Sequence, residues 1–260
     1  MKKVENAVVI ENKKIASNIY DMFLKLDDIA KESVCGQFIE MYVDNGVNIL
    51  PRPISICEIN ANEGIIRIMF QVVGSGTAYF SNLKRGDIIR VLGPCGNGFN
   101  IKETDLSILV GGGIGIPPLF ETAKRIKGKK VVVLGFKNRN SVILKDEFEK
   151  LGAEVLVSSD DGSIGFKGNV VELIKEKGIA EKNSIIYSCG PIPMLKALSE
   201  FADETNIECM VSLEERMACG VGACVGCAVK VFDKDKKEEI YKKVCTDGPV
   251  FSSKEVIFDA

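Results

Sequence analysis

The sequence predicts a multidomain protein: an antiparallel β-barrel, an α/β unit on a parallel sheet, and a small cysteine-rich C-terminal unit. Three observations predict it. From Val4 to Phe99 short alternating apolar runs are separated by turn residues, the pattern of an antiparallel barrel. Residues 105–212 alternate apolar strand and amphipathic helix five times, which calls for a parallel sheet with helices on both faces. Residues 213–260 carry four of the nine cysteines, three of them on one glycine-rich loop. The expected boundaries are 1–102, 103–212 and 213–260.

Composition bounds the function. At 260 residues, 46% hydrophobic and 27% charged, the chain has ample length to bury cores. A net charge of −2 with no basic stripe argues against nucleic acid as a partner. The most apolar stretch, residues 106–120, is interrupted by four glycines and two prolines and is not expected to cross a bilayer. Glu5, Asn6, Glu11 and Asn12 prevent a leader-like apolar run after Met1. Nine cysteines in such a chain point to a reducing cytoplasm.

In the first unit, strands are expected at residues 7–11, 19–26, 38–42, 54–60, 65–73 and 87–92. Turns are expected at Gly36-Gln37, Asp44-Asn45-Gly46, Asn62-Glu63-Gly64 and Arg85-Gly86-Asp87. Pro53 disfavours helix at Arg52, so Arg52 and Ser55 share one extended segment. An arginine there can pair with a diphosphate, and a serine can bond a polar ring edge. Gly74-Ser75-Gly76-Thr77 follows an apolar strand and permits close backbone approach to a phosphate. Residues 29–32 and 234–239 read as solvent-facing by composition, with no role.

In the second unit, strands are expected at 107–110, 130–135, 154–158, 184–187 and 208–211, and helices at 117–127, 142–151, 170–177 and 192–204. The first strand runs into Gly111-Gly112-Gly113-Ile114-Gly115-Ile116-Pro117-Pro118. This departs from G-x-G-x-x-G at Ile116. It still predicts an exposed helix N-terminus favourable for a pyrophosphate. Ser158-Ser159-Asp160-Asp161-Gly162 places carboxylates where a 2′-phosphate would need a cation, so Asp161 favours NAD over NADP. A solvated acidic loop explains the same residues.

In the third unit, Cys219, Cys224 and Cys227 form C-x4-C-x2-C, and Cys245 follows after seventeen intervening residues. That is the plant-type [2Fe–2S] spacing. Gly220, Gly222, Ala223 and Gly226 keep the loop small, so backbone N–H groups can surround sulfur. A structural zinc site would use paired C-x2-C knuckles or histidine, and the chain has no histidine. Asp247-Gly248-Pro249 reads as a turn beyond Cys245.

These residues carry a resemblance. Arg52-Pro53-x-Ser55, Gly76-Thr77 and Leu83-x-x-Gly86-Asp87-x-Ile89-x-Val91-x-Gly93-Pro94 resemble the FAD barrel of the ferredoxin reductase superfamily. The resemblance implies that Arg52, Pro53, Ile54 and Ser55 contact flavin ring and phosphate. It also implies that Met69, Phe70 and Gln71 line the ribityl chain, while Gly76 and Thr77 cap the pyrophosphate. For NAD it implies the glycine-rich Gly111, Gly113, Gly115, Ile116 and Pro117, and a nicotinamide-side Cys189, Gly190 and Pro191. Over essentially the whole chain, with Met217-Ala-Cys-Gly-x-Gly-Ala-Cys-x-Gly-Cys and Val244-Cys-x-Asp-Gly-Pro-Val-Phe, the sequence is similar to the electron-transfer subunits of class 1B, NAD-dependent dihydroorotate dehydrogenases. Cys95 departs from the pattern, where an aliphatic residue is expected.

That family implies a heterotetramer of two plus two with an FMN-containing catalytic subunit that oxidises dihydroorotate to orotate in pyrimidine synthesis. Nicotinamide exchanges two electrons as hydride and a [2Fe–2S] cluster one; a flavin does both and must stand between them. No catalytic side chain is then expected, because the cofactors carry the chemistry. The nearest rival in the superfamily is the small subunit of an NADH-dependent ferredoxin:NADP oxidoreductase or sulfide dehydrogenase. Many of those replace one cluster cysteine by aspartate. A redox sensor would need an output element, and a self-contained flavin reductase would leave the cysteine unit unused.

Overall fold

The computed structural model describes residues 2–43, 46 and 49–258. In chain order it contains β1 (Lys3–Ala16), β2 (Ile19–Lys25), α1 (Asp27–Glu32), β3 (Phe38–Met41), β4 (Arg52–Asn60), β5 (Ile65–Gln71), α2 (Ser75–Ser81) and β6 (Ile88–Cys95). The six strands close a barrel in the order β1-β2-β5-β4-β3-β6, every neighbouring pair antiparallel. Alternation sends Val9, Met22, Leu24, Ile39, Met41, Ile56, Ile66, Ile68 and Val91 into its interior. Asp44 and Asn45 of the expected third turn lie outside the described residues.

One expectation fails here. Residues 29–32 are not a solvent-facing stretch: Ile29 and Ala30, in α1, are fully buried among the barrel's core residues. Composition showed only the charged face of this short helix. Its first N–H groups are met from afar, Glu5 accepting from Ile29 N at 2.6 Å and Asp28 N at 3.3 Å.

The chain continues through β7 (Leu106–Gly112), α3 (Pro118–Arg125), β8 (Lys130–Phe136), α4 (Lys145–Lys150), β9 (Glu154–Ser159), β10 (Phe166–Lys167), α5 (Val170–Lys177), β11 (Ser184–Cys189), α6 (Ile192–Thr205) and β12 (Glu208–Ser212). The C-terminal segment adds β13 (Ala228–Asp233), β14 (Glu238–Lys243) and β15 (Val250–Ser252). The sheet order is β10-β9-β8-β7-β11-β12-β15, so strand order reverses between β7 and β11. Phe120 and Phe148, from α3 and α4, pack on one face; Leu173, Leu195 and Leu198, from α5 and α6, pack on the other.

β15, which the alternating pattern does not announce, pairs antiparallel to β12 and stitches the cysteine-bearing segment onto the edge of the parallel sheet. The barrel docks on the opposite side of α3. There Arg67 of β5, 8% exposed, donates from Nε and Nη2 to both carboxylate oxygens of Asp21 at 2.9 and 2.8 Å. The same guanidinium donates to both oxygens of Glu147 in α4, at 2.5 and 2.9 Å. Buried Glu121 of α3 accepts from Ile59 N in β4 at 3.0 Å. A bidentate arginine shared between two carboxylates fixes angle as well as distance, so barrel and sheet meet in one orientation.

Candidate functional site

A cavity of about 520 Å³ opens between barrel and sheet. Eight of the nine residues predicted for the flavin line it: Arg52, Pro53, Ile54 and Ser55 from β4, Met69, Phe70 and Gln71 from β5, and Thr77 from α2. Two adjacent antiparallel strands deliver these groups to one end of the barrel. Gly76 stands behind the wall instead. A Cβ there would meet Arg52 Nε at 2.6 Å, so the glycine lets the arginine lie across the start of α2. The Arg52 Nη1 donates to Leu50 O at 2.6 Å and Pro51 O at 3.3 Å. The Thr77 hydroxyl accepts from Val73 N and Gly74 N at 3.0 and 3.2 Å, so it shapes the turn as well as facing the cavity.

The opposite wall was missed by sequence reasoning. It consists of Ile114, Pro249 and residues 212–217, while Phe38 of β3, paired with Ser55, adds to the barrel side. Residues 212–217 leave the carboxyl end of β12, the end at which open parallel sheets bind ligands. That position was the available signal; Ser-Leu-Glu-Glu-Arg-Met carries none in its composition.

A second cavity, about 500 Å³, lies across the carboxyl ends of β7, β8, β9 and β11. Of the residues predicted for NAD, Gly113 and Pro191 line it, joined by Phe136, Asp160, Asn169, Val170 and Met194. Gly111, Gly115, Ile116, Pro117 and Cys189 are buried and are not among its lining residues, and Gly190 stands beside them. The expected exposed helix start is corrected by this geometry. Pro117 and Pro118 are buried and have no N–H, and the N–H groups of Ile116, Leu119 and Phe120 donate to carbonyls within the turn. A Cβ on Gly115 would meet Cys189 O at 2.6 Å, so this glycine serves close packing of two loops. Asp160 faces the cavity, whereas Asp161 is not among its lining residues and accepts from Ser163 N at 2.9 Å; the Ser163 hydroxyl and then this amide hold its carboxyl below the usual range.

The cysteine segment begins two residues past the first cavity's wall, Met217 lining it and Cys219 following. Gly220 and Gly222 take φ of +63° and +83°, turning the loop back over Cys219. The Cys219 Sγ accepts from Val221 N at 3.5 Å and Cys224 N at 3.4 Å. Burial raises this thiol's pKa, but the amides of Cys224, Val221 and Ala223 and the Cys224 thiol outweigh it, bringing it down to about 6. The β13–β14 hairpin explains how Cys245 returns. Ala228 pairs with Lys243, and Val244 N donates to Cys227 O at 3.0 Å, so the residue before β13 meets the residue after β14. Burial and the adjacent Cys227 thiol push Cys245 up to about 11.

The thiols therefore come as two neighbouring pairs, Cys219 with Cys224 and Cys227 with Cys245. Among the described residues no three cysteine or acidic side chains form a group suited to one ion. Four thiolates are the ligand number of a [2Fe–2S] cluster, and the two pairs together supply that number. Cys95, fully buried at the end of β6, has its thiol pushed up to about 12 by burial and behaves as an apolar residue. The cysteine loop also rests on the barrel. A Cβ on Gly220 would meet the Glu40 side chain at 2.9 Å, and that carboxylate, fully buried on β3, is raised to about 7 by burial and then by Cys219.

Comparison with known proteins joins these three sites. Residues 6–99 match an oxidoreductase FAD-binding domain and residues 109–200 an oxidoreductase NAD-binding domain. Residues 214–257 match the iron–sulfur cluster binding domain of dihydroorotate dehydrogenase B. The electron transfer subunit of dihydroorotate dehydrogenase B (NAD(+)) from Fusobacterium nucleatum is 42% identical over 264 aligned residues, covering 98% of each chain. The chain belongs to this family. Its counterpart from Caldanaerobacter subterraneus subsp. tengcongensis is 44% identical, covering 97% of this chain and 98% of the other. Among solved structures, one from a study of flavin-based electron bifurcation by an NADH-dependent reduced ferredoxin-NADP oxidoreductase has a TM-score of 0.87. It is 31% identical and covers 97% of this chain and 90% of that one. A ferredoxin reductase of a carbazole 1,9a-dioxygenase, 18% identical with a TM-score of 0.67, shares the fold over 79% of this chain. The family's three modules, for FAD, NAD and an iron–sulfur cluster, thus follow one another as the sequence predicts.

Proposed function

We propose that this chain relays electrons from an FMN-containing partner subunit, which oxidises dihydroorotate to orotate in pyrimidine synthesis, to NAD+. Cys219, Cys224, Cys227 and Cys245 hold the [2Fe–2S] cluster. Arg52, Pro53, Ile54, Ser55, Met69, Phe70, Gln71 and Thr77 hold FAD in the first cavity, and Gly113, Asp160 and Pro191 face NAD in the second. When bound, these groups supply one-electron exchange at the cluster, hydride exchange at the nicotinamide, and both at the flavin.

The observation that carries the reading is the shared wall. Residues 212–217 close the flavin cavity, and the next residues but one enter the cysteine loop. Arg52 supplies positive charge for a diphosphate, Ser55 offers a hydrogen bond to a polar ring edge, and Gln71 offers one to the ribityl chain. Asp160 offers its carboxylate to ribose hydroxyls and opposes a 2′-phosphate. No side chain needs to give or take a substrate proton here. The assembly is a cytoplasmic heterotetramer of two copies of each subunit; no helix among the described residues is long and apolar enough to cross a membrane.

Co-expression with the candidate partner tests this. Recovery of a complex that reduces NAD+ with dihydroorotate is expected; recovery of a complex inert to dihydroorotate contradicts it. The structural likeness to the chain from the bifurcating ferredoxin-NADP oxidoreductase supports a second reading, the small subunit of an NADH-dependent ferredoxin:NADP oxidoreductase or sulfide dehydrogenase. Co-purification with a partner that uses ferredoxin and NADPH would favour it.

A further inference from the structure

Two lysines grip the loop between Cys219 and Cys224 by its carbonyl oxygens. Lys2, just before β1, donates from Nζ to Gly220 O at 2.5 Å and to Cys245 O at 3.0 Å. Lys243, at the end of β14, donates from Nζ to Gly222 O at 3.1 Å. The peptide unit is planar and trans, so its C=O and the next residue's N–H point in opposite directions. Holding Gly220 O outward therefore aims Val221 N–H at the Cys219 sulfur, where it bonds at 3.5 Å. Holding Gly222 O outward likewise turns Ala223 N–H inward, and that amide also acts on the Cys219 thiol. The two lysines thus sit behind two of the amides that converge on one sulfur.

Lys2 belongs to the barrel, not to the cysteine segment. It spans both backbone stretches of the centre, since Gly220 follows Cys219 and the second acceptor is Cys245 itself. Beside it the buried Glu40 carboxylate meets Gly220 from β3. The flavin barrel thereby contributes a cation and a packing surface to the cysteine centre.

We propose that Lys2 and Lys243 are positioning residues of the iron–sulfur centre, orienting the loop amides toward Cys219 and holding the centre's reduction potential up. The inference rests on the assignment of the four cysteines as ligands. Reduction adds negative charge to a cluster. Amides aimed at its sulfur and part-buried cations near it stabilise the reduced form, and both are known levers on cluster potential. Removing either lysine frees a peptide to rotate and withdraws a positive charge, and both changes lower the potential.

The test is an EPR-monitored redox titration of the holoprotein, with iron content measured on each variant. Lys2→Met and Lys243→Met are expected to keep their iron and shift the midpoint to more negative values. Lys2→Arg, which keeps the charge and donors, stays near wild type. An unchanged midpoint in iron-replete Lys2→Met overturns the inference, as does a midpoint in Lys2→Arg shifted as far as in Lys2→Met. If Lys2→Met loses iron, Lys243→Met decides, and its unchanged midpoint overturns the inference equally. A failure of the ligand assignment looks different: Cys219→Ser would then keep the wild-type iron content and EPR signal, and the inference would fall with it.

Discussion

The two cavities differ in who builds them. The first is two-sided: barrel strands β4 and β5 form one wall and residues 212–217, with Pro249, the other. It carries Arg52, Ser55, Gln71, Thr77, Glu214, Glu215 and Arg216 around apolar Ile54, Met69, Phe70 and Met217. The second is one-sided, lying across the carboxyl ends of a single sheet, with apolar Phe136, Val170, Val171, Pro191 and Met194 and few charged groups. Under the proposed assignment, the flavin meets charged and hydrogen-bonding groups from two walls, whereas the nicotinamide dinucleotide meets a largely apolar lining on a single sheet, although each cavity is close to 500 Å³. The lesson is that the two cavities differ in the chemistry of their walls rather than in their size.

The largest expected effect lies beyond the first cavity's far wall. Cys224→Ser should abolish dihydroorotate-driven NAD+ reduction by the complex while leaving bound FAD and NADH–dye reduction intact. Equal loss of both activities in steady-state assays would place the cysteine centre off the route. Next, Arg67→Met removes a guanidinium shared by Asp21 and Glu147 and leaves two carboxylates facing each other at the interdomain contact. Breaking such a buried network costs about 3–5 kcal/mol. Thermal unfolding should show a lower Tm, and flavin should be lost before nucleotide binding weakens, because only the first cavity needs both domains.

Glu40 gives a pH signature of similar size. Its folded-state pKa, raised to about 7 by burial and Cys219, exceeds the ordinary 4.5. The folded state therefore holds a proton the unfolded state releases. Its stabilisation is full below the ordinary value and is lost as pH rises toward 7, a change on the order of 3 kcal/mol. Glu40→Gln should flatten that part of the stability curve in denaturant titrations; a parallel curve would show that Glu40 titrates alike in the folded and unfolded states. Arg52→Ala should weaken FAD retention by about 1.5–3 kcal/mol through loss of a charge-assisted contact. Flavin content after dialysis measures it, and full retention would remove Arg52 from the diphosphate. The smallest effect belongs to the one-sided cavity. Asp160→Asn should narrow the preference for NADH over NADPH by no more than about tenfold, or about 1.4 kcal/mol, in kcat/KM.

Legibility in the sequence follows the same division. Strand alternation and Pro53 place Arg52 to Ser55 on one extended segment. The resemblance of Arg52-Pro53-x-Ser55 to the flavin barrels, rather than the alternation, implies that this segment faces a ligand. Cysteine spacing is equally explicit, because a cluster needs thiolates and a small loop. The glycine-rich turn was harder. Gly111, Gly115 and Ile116 pack against neighbouring loops, and a sequence does not say whether a glycine is present for a ligand or for a backbone 2.6 Å away. The choice between Asp160 and Asp161 turned on one local hydrogen bond to Ser163 N. α1 was hidden because Ile29 and Ala30 make too short an apolar face to show a period. Residues 212–217 became a wall only through β15, whose pairing with β12 no local pattern encodes.

The central claim is that electrons pass between nicotinamide and cysteine centre only by way of the two-walled cavity. Its most direct test is anaerobic addition of NADH to protein loaded with iron–sulfur cluster but stripped of FAD, followed by EPR. The cluster should stay oxidised until FAD is restored, and then become reduced. Reduction by NADH at the same rate without FAD would contradict the account.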